Sequence, residues 1–216
     1  LPSVEESSES ASFVPESRLK LQNFQAKVDA VKKEVSKMII GQHQLIDQIL
    51  LAIFSRGHVL LEGVPGIAKT MTSKVISKTL SVDYSRIQFT PDLMPSDVLG
   101  TSIFNVKTSE FTYKKGPVFS NIVLIDEINR SPAKTQAALF EIMEERQVTN
   151  DGVKYKMDPP FFIMATQNPI EQEGTYRLPE AQLDRFIFRI KLEYPSFQEE
   201  VEILKRFKNS IKDVSF

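Results

Sequence analysis

The sequence predicts an α/β fold of three layers, with helices covering both faces of a five-stranded, mostly parallel sheet. Three observations lead there. Asn121 to Asp126 and Phe161 to Thr166 hold apolar runs without alternation, the pattern of strands buried on both faces. Strand-length apolar runs alternate with segments of helical spacing along most of the chain. Between the run His58-Val59-Leu60-Leu61 and a helix-forming segment lies the Gly-rich turn Gly63-Val64-Pro65-Gly66-Ile67-Ala68-Lys69-Thr70.

In chain order, Leu1 to Pro15 is rich in Ser and Glu and poor in apolar side chains, so residues 1–15 are expected to form a flexible tail. Leu21, Phe24, Val28, Val31, Val35 and Met38 recur three or four apart, which predicts an amphipathic helix packed on the core by that stripe. Gly41 stops it, and Leu45 to Arg56 predicts a second helix. Val59 to Leu61 is the first strand, followed by the Gly-rich turn and a helix to about Leu80. Arg86 to Phe89 is the second strand, and Thr90 to Asp97, with its two prolines, is expected to be irregular. Thr101 to Val106 and Glu110 to Lys114 pair as a hairpin across Lys107-Thr108-Ser109. After the strand ending at Asp126, Ser131-Pro132 is expected to cap a helix running to Arg146, with Ser131 as the N-cap. Gln147 to Met157 predicts a second hairpin turning at Asn150-Asp151-Gly152. The strand Phe161 to Thr166, a short helix Pro179 to Asp184, a strand Phe186 to Ile190 and a helix Phe197 to Phe207 complete the chain.

Composition excludes several function classes. The 216 residues contain no cysteine, which removes disulfides, thiolate metal sites and a cysteine nucleophile; two histidines do not make a zinc site. Lys and Arg number 27 against 28 Asp and Glu, a balance that argues against a dedicated nucleic-acid binder. No apolar run is long enough to span a membrane and no signal-peptide pattern is present, so the expected location is the cytosol.

A strand, a Gly-rich turn and a helix opening on Lys-Thr form a phosphate-binding loop. Backbone N–H groups of the turn converge on an anion, and the helix dipole adds to their field. Lys69 is placed to reach the β- and γ-phosphates, and Thr70 to ligate Mg²⁺. Ala68 stands where the usual pattern has Gly, so the octapeptide alone is also compatible with a simple turn bearing a solvated Lys69. Asp126-Glu127, ending a buried strand, is suited to supply a metal-holding carboxylate (Asp126) and a general base (Glu127), or merely marks where a buried strand surfaces. Asn168, past the next apolar strand, is suited to orient water and touch the γ-phosphate; an Asn-Pro turn is the plainer reading. Arg185 is suited to act as an arginine finger, or merely to form a surface salt bridge such as one to Asp184.

Taken in order, these blocks resemble an AAA+ ATPase of the MoxR type, a branch of the P-loop NTPases. The resemblance rests on Gly63 to Thr70, Gln88 to Asp97, Gly116 to Phe119, Leu124 to Arg130, Ala165 to Pro169 and Gly174 to Phe186, and covers most of the chain from Ile40 to Phe188. Alanine before the lysine, at Ala68, is common in MoxR-type loops. The resemblance implies that residues 16–194 form the nucleotide domain, with Lys69 and Thr70 on phosphate and Mg²⁺, Met71 closing the loop motif, Asp126 on the metal and Glu127 as base. Asn168 matches the first sensor, Arg185 the finger, and Ile39-Ile40-Gly41 the segment touching adenine. The hairpin Thr101 to Lys114 corresponds to the insert in the second helix that marks this branch. Residues 195–216 correspond to the start of a helical lid with a second sensor arginine; the chain stops at Phe216, which implies a truncated lid.

The resemblance further implies ATP and Mg²⁺ as cofactors, a homo-oligomer (usually a hexameric ring), and chaperone-like maturation of client complexes. Such proteins often work beside proteins with a von Willebrand factor A domain. Two other classes are compatible with the same motifs, a non-catalytic nucleotide-gated adaptor and a DNA-acting motor.

Overall fold

The structure, a computed structural model, describes residues 16–63, 69–167, 176, 178–192 and 197–211. Its elements are α1 (Glu16–Ser36), α2 (His43–Phe54), β1 (Val59–Glu62), α3 (Lys69–Leu80), β2 (Tyr84–Gln88), α4 (Pro95–Leu99), β3 (Gly100–Asn105) and β4 (Glu110–Lys115). They continue with β5 (Ile122–Asp126), α5 (Ala133–Glu145), β6 (Gln147–Asn150), β7 (Val153–Lys156), β8 (Phe162–Gln167), α6 (Glu180–Leu183), β9 (Phe188–Lys191) and α7 (Phe197–Ile211).

The central sheet has five strands in the order β2-β5-β8-β1-β9, every neighbouring pair parallel. Period-two alternation divides its side chains between two cores. Leu60, Val123, Ile125, Ile163 and Ala165 point to one face, where they meet Val98 of α4 and Leu139, Phe140, Ile142 and Met143 of α5. Val59, Leu61, Ile122, Leu124, Phe162 and Met164 point to the other, against Val35 of α1, Ile46, Ile49 and Leu50 of α2, and Ile76 of α3. Each of these fully buried aliphatic side chains contributes about 1.5–3 kcal/mol relative to exposure. The three-layer α/β/α arrangement is therefore the expected one.

Two antiparallel hairpins stand off this sheet, β3–β4 and β6–β7. The second turns at Asp151 (φ 49°) and Gly152 (φ 77°), the left-handed pair that a two-residue hairpin loop requires. The hairpins brace each other: Tyr113 stacks on Tyr155 at 4.4 Å, and the Ser102 hydroxyl donates to Asp151 at 2.7 Å.

The structure corrects three local expectations. The α1 stripe is buried only at Val35: Leu21 and Met38 are 66% and 59% exposed, and Phe24, 48% exposed, meets only the edge of the core through Phe54 of α2 at 5.1 Å between ring centroids. Periodicity specified a face, but the core beneath it extends only to the last turns of α1. Ser131 does not cap α5; its hydroxyl is buried without a hydrogen-bond partner among the described residues, and Pro132 occupies the cap position. Thr90 to Asp97 is not wholly irregular, because Pro95–Leu99 forms a helical turn in which Asp97 accepts from the Met94 N–H at 2.9 Å. The tail Leu1 to Pro15 lies outside the described residues.

His58, just before β1, is 3% exposed and ties three elements together. Its Nδ1 accepts from the Ile163 N–H at 3.0 Å, so the proton sits on Nε2, which donates to the Met143 carbonyl at 3.3 Å. Burial pushes its pKa down from 6.5 to about 4, with Arg146 adding to the effect and the Met143 bond opposing it. The unfolded chain therefore binds this proton more tightly, and the stability His58 contributes is present above pH 6.5 and lost as pH falls toward 4. Denaturant unfolding is expected to show about 2 kcal/mol less stability at pH 5 than at pH 7 from this group. The slope over that window should be smaller in His58→Gln.

Candidate functional site

The parallel register brings the carboxyl ends of β1, β5 and β8 to one edge of the sheet. Glu62 is opposite Gln167, and Gln88 of β2 is opposite Asp126. Crevices at such an edge are where open α/β sheets bind ligands.

Asp126 ends β5 and is 8% exposed. Its Oδ2 accepts from Arg86 Nε at 2.6 Å, and its Oδ1 lies 3.4 Å from the Thr166 hydroxyl. That hydroxyl also accepts from the Glu127 N–H at 2.9 Å, so one side chain of β8 holds both acidic residues. Glu127 has a left-handed backbone (φ 58°, ψ 51°), a conformation that costs a non-glycine residue on the order of 1–3 kcal/mol. The reversal breaks strand alternation, so Asp126 and Glu127 can serve one site although adjacent in sequence. Glu127 Oε2 accepts from Gln88 Nε2 and from Arg130 Nη1, each at 3.0 Å. The segment after it is pinned by Gln136 Nε2, which donates to the carbonyls of Ile128 and Ser131 at 3.2 and 3.1 Å.

Lys69 opens α3, and its Nζ donates to the Gly63 carbonyl at 3.2 Å. Burial lowers its pKa, and the charges of Asp126 and then Glu127 oppose that shift. The lysine and the acidic pair thus share one electrostatic environment. Thr70 follows in the same first turn, partly buried, and Met71 is 45% exposed. Gly63 has φ 154°, and a Cβ there would meet the Leu192 carbonyl at 2.9 Å, so a side chain is excluded on both counts. Val64, Pro65, Gly66, Ile67 and Ala68 lie outside the described residues, as does Asn168, which follows β8 directly.

Between the chain after α1, helix α2, strand β9 and α7 is a cavity of about 450 Å³ whose wall includes Ile40, Gly41, Gln42, Leu45, Leu192 and Glu199. Leu192 is shared between this wall and the approach to Gly63. Gly41 has φ 75°, and Glu199 of α7 occupies the place a Cβ would take. The cavity is large enough for a nucleoside, and through Leu192 its wall reaches the neighbourhood of Gly63.

Arg185 does not join this cluster in its own chain. Its Nη2 pairs with Glu144 Oε2 at 2.9 Å, its Nη1 donates to the Ala181 carbonyl at 3.2 Å, and its guanidinium lies 5.8 Å from the Phe140 ring centroid. The surface pair exists, but with Glu144 rather than Asp184.

Arg86 carries no role in the sequence reading, and Gln88, Arg130 and Thr166 only a place in matching blocks. Arg86 and Gln88 alternate on β2 with buried Ile87, a signal that they share one sheet face. Nothing local marks Thr166, because its role comes from a register 40 residues away.

A hard divalent cation fits the donor set. Asp126 and Thr70 offer oxygen, and among the described residues no cluster of three or more His, Cys, Asp or Glu could cage a metal unaided. That is the pattern of Mg²⁺ bound through one or two protein oxygens and the phosphates of a nucleotide.

A parallel sheet with β1 between β8 and β9, a lysine opening the helix after β1 and an acidic pair ending β5 together define a nucleoside triphosphate-binding domain. A family model described as "ATPase family associated with various cellular activities (AAA)" matches residues 58–188, and the chain belongs to that family. Within it the likeness is to MoxR proteins. The chain is 53% identical over 173 residues to Chaperone MoxR1 of Mycobacterium tuberculosis, covering 80% of this chain and 46% of that protein. It is 54% identical over 172 residues to the uncharacterized protein YeaC of Bacillus subtilis, covering 80% of this chain and 54% of YeaC. A crystal structure of a candidate ATPase from Cytophaga hutchinsonii superposes with a TM-score of 0.76 at 49% identity, covering 88% of this chain and 60% of that one. The chain thus spans about half the length of the curated relatives it matches.

Thr166→Val removes the acceptor of the Glu127 N–H while preserving shape. It is expected to cost about 1–3 kcal/mol in urea unfolding at pH 7. An unchanged midpoint would show that the shared hydroxyl does not hold the acidic pair.

Proposed function

We propose that this protein is a Mg²⁺-dependent ATPase whose hydrolysis drives chaperone-like remodelling of client protein complexes. The observation that carries the reading is the placement of Lys69, which opens the helix after β1, and of the Thr166-held pair Asp126 and Glu127, after β5, at the carboxyl edge of the same parallel sheet. Its 53% identity to a protein named as a chaperone supports the remodelling role.

In this reading Lys69 binds the β- and γ-phosphates, and the cavity beside Gly41 receives the adenosine. Ile40 and Gly41 form its wall. Thr70 and Asp126 would hold the metal ion, which supplies charge neutralisation on the phosphates. Glu127 takes the proton of the attacking water at its carboxylate; the left-handed turn and the bonds to Gln88 and Arg130 set the direction of that carboxylate. Asn168 orients the water. Arg185, whose observed partners all lie on α5 and α6, serves a neighbouring subunit's nucleotide in a homo-oligomer. No helix among the described residues is long and apolar enough to cross a membrane.

Three variants of the full-length protein test this. Lys69→Ala is expected to abolish nucleotide binding in a fluorescent-nucleotide titration. Glu127→Gln should bind ATP with unchanged affinity and lose about 100-fold or more in kcat. Arg185→Ala should lose on the order of 10³-fold in kcat while still binding ATP, and mixing it with Lys69→Ala should restore part of the activity through hybrid interfaces. Turnover per subunit that does not change on dilution to monomers would refute the trans role of Arg185.

A further inference from the structure

The cation that Asp126 carries in this structure comes from β2. Arg86 Nε lies 2.6 Å from Asp126 Oδ2, bound through a single nitrogen rather than as a two-pronged fork. The two partners differ in exposure: the Arg86 side chain is 52% exposed and that of Asp126 is 12% exposed. Arg86 is also two residues from Gln88, whose amide binds Glu127, so one face of the edge strand presents a cation to the first acid and a donor to the second. The proposed roles of Lys69, Asp126 and Glu127 do not use this arginine.

We propose that Arg86 is a built-in stand-in for the divalent cation, neutralising Asp126 when no metal is bound and withdrawing toward solvent when the metal is. The inference rests on the nucleotide-binding reading of the same site. Three physical points support it. A carboxylate this enclosed needs a counter-charge in the free protein, since an unpaired buried charge is costly. A pair with one half-exposed member and a single hydrogen bond is weak, so a doubly charged ion can displace it. A guanidinium is charged at every accessible pH, so the stand-in always carries its charge.

The consequence is a specific effect on linkage. Without Arg86, metal-free nucleotide phosphates would face Asp126 and Glu127 with one cation fewer. Loss of the arginine should therefore make nucleotide binding depend more strictly on metal, rather than weaken it uniformly. A residue that only positions Asp126 would lower affinity mainly when metal is present, the opposite pattern.

The test is ATP affinity of the full-length protein, measured calorimetrically with Mg²⁺ and again with EDTA. For Arg86→Gln, the ratio of metal-free to Mg²⁺-bound dissociation constants is expected to rise about three- to tenfold. The rise should come from weaker metal-free binding, with affinity in Mg²⁺ equal or tighter. Arg86→Lys keeps the charge and should stay within about twofold of the unaltered protein; thermal unfolding confirms that both variants are folded. An unchanged or smaller ratio in Arg86→Gln, or Arg86→Lys behaving like Arg86→Gln, overturns the stand-in role while leaving the ATPase reading intact. Absence of nucleotide binding in the unaltered protein under both conditions overturns the ATPase reading and this inference with it.

Discussion

The parallel pairing of β5 and β1 with β8 is the constraint on which the rest depends. It buries the central strands on both faces, which is why Ile122 to Ile125 and Phe162 to Ala165 are apolar without alternation. The same pairing makes all the strands end at one edge. Chain leaving β1 and β5 surfaces there, so Lys69 at the start of α3 and the acidic pair after β5 come to the same edge.

At that edge three devices turn proximity into a site. The left-handed Glu127 reverses the alternation that would otherwise send adjacent acids to opposite faces. The Thr166 hydroxyl joins the acids to β8, and β2 supplies Arg86 and Gln88 as their counterparts. Glycine at positions 41 and 63 allows Glu199 and Leu192 to approach closely, shaping the cavity that both residues line. Arg185 is held elsewhere, by Glu144, and takes no part in this cluster within its own chain.

The elements were largely legible because each carries a local periodic signal. Both hairpins, the buried strands and the helices α2, α3 and α5 lie where spacing and turn residues put them. Two of the misses share one cause, tertiary context. Leu21 continues the stripe of α1 beyond the core, and Phe24 is only half covered, by Phe54 at its edge. Ser131 has the composition of a cap, but its hydroxyl turns inward and Pro132 takes the position. Pro95 adds a local cause: at the first turn of α4 its missing N–H costs nothing, so the proline opens a helical turn within the stretch expected to be irregular.

By itself the sequence determined the α/β class and the MoxR-type resemblance, and it singled out Lys69, Thr70 and the acidic pair as candidates, because these depend on residue type and short spacing. Only the tertiary structure decided which residues serve those groups. Arg86 and Thr166 reach Asp126 from 40 residues away on either side, through strand register that no local pattern encodes. Pairing between distant strands is set by the closing of the whole sheet, and so the counter-ions of the site emerge only once the chain has folded.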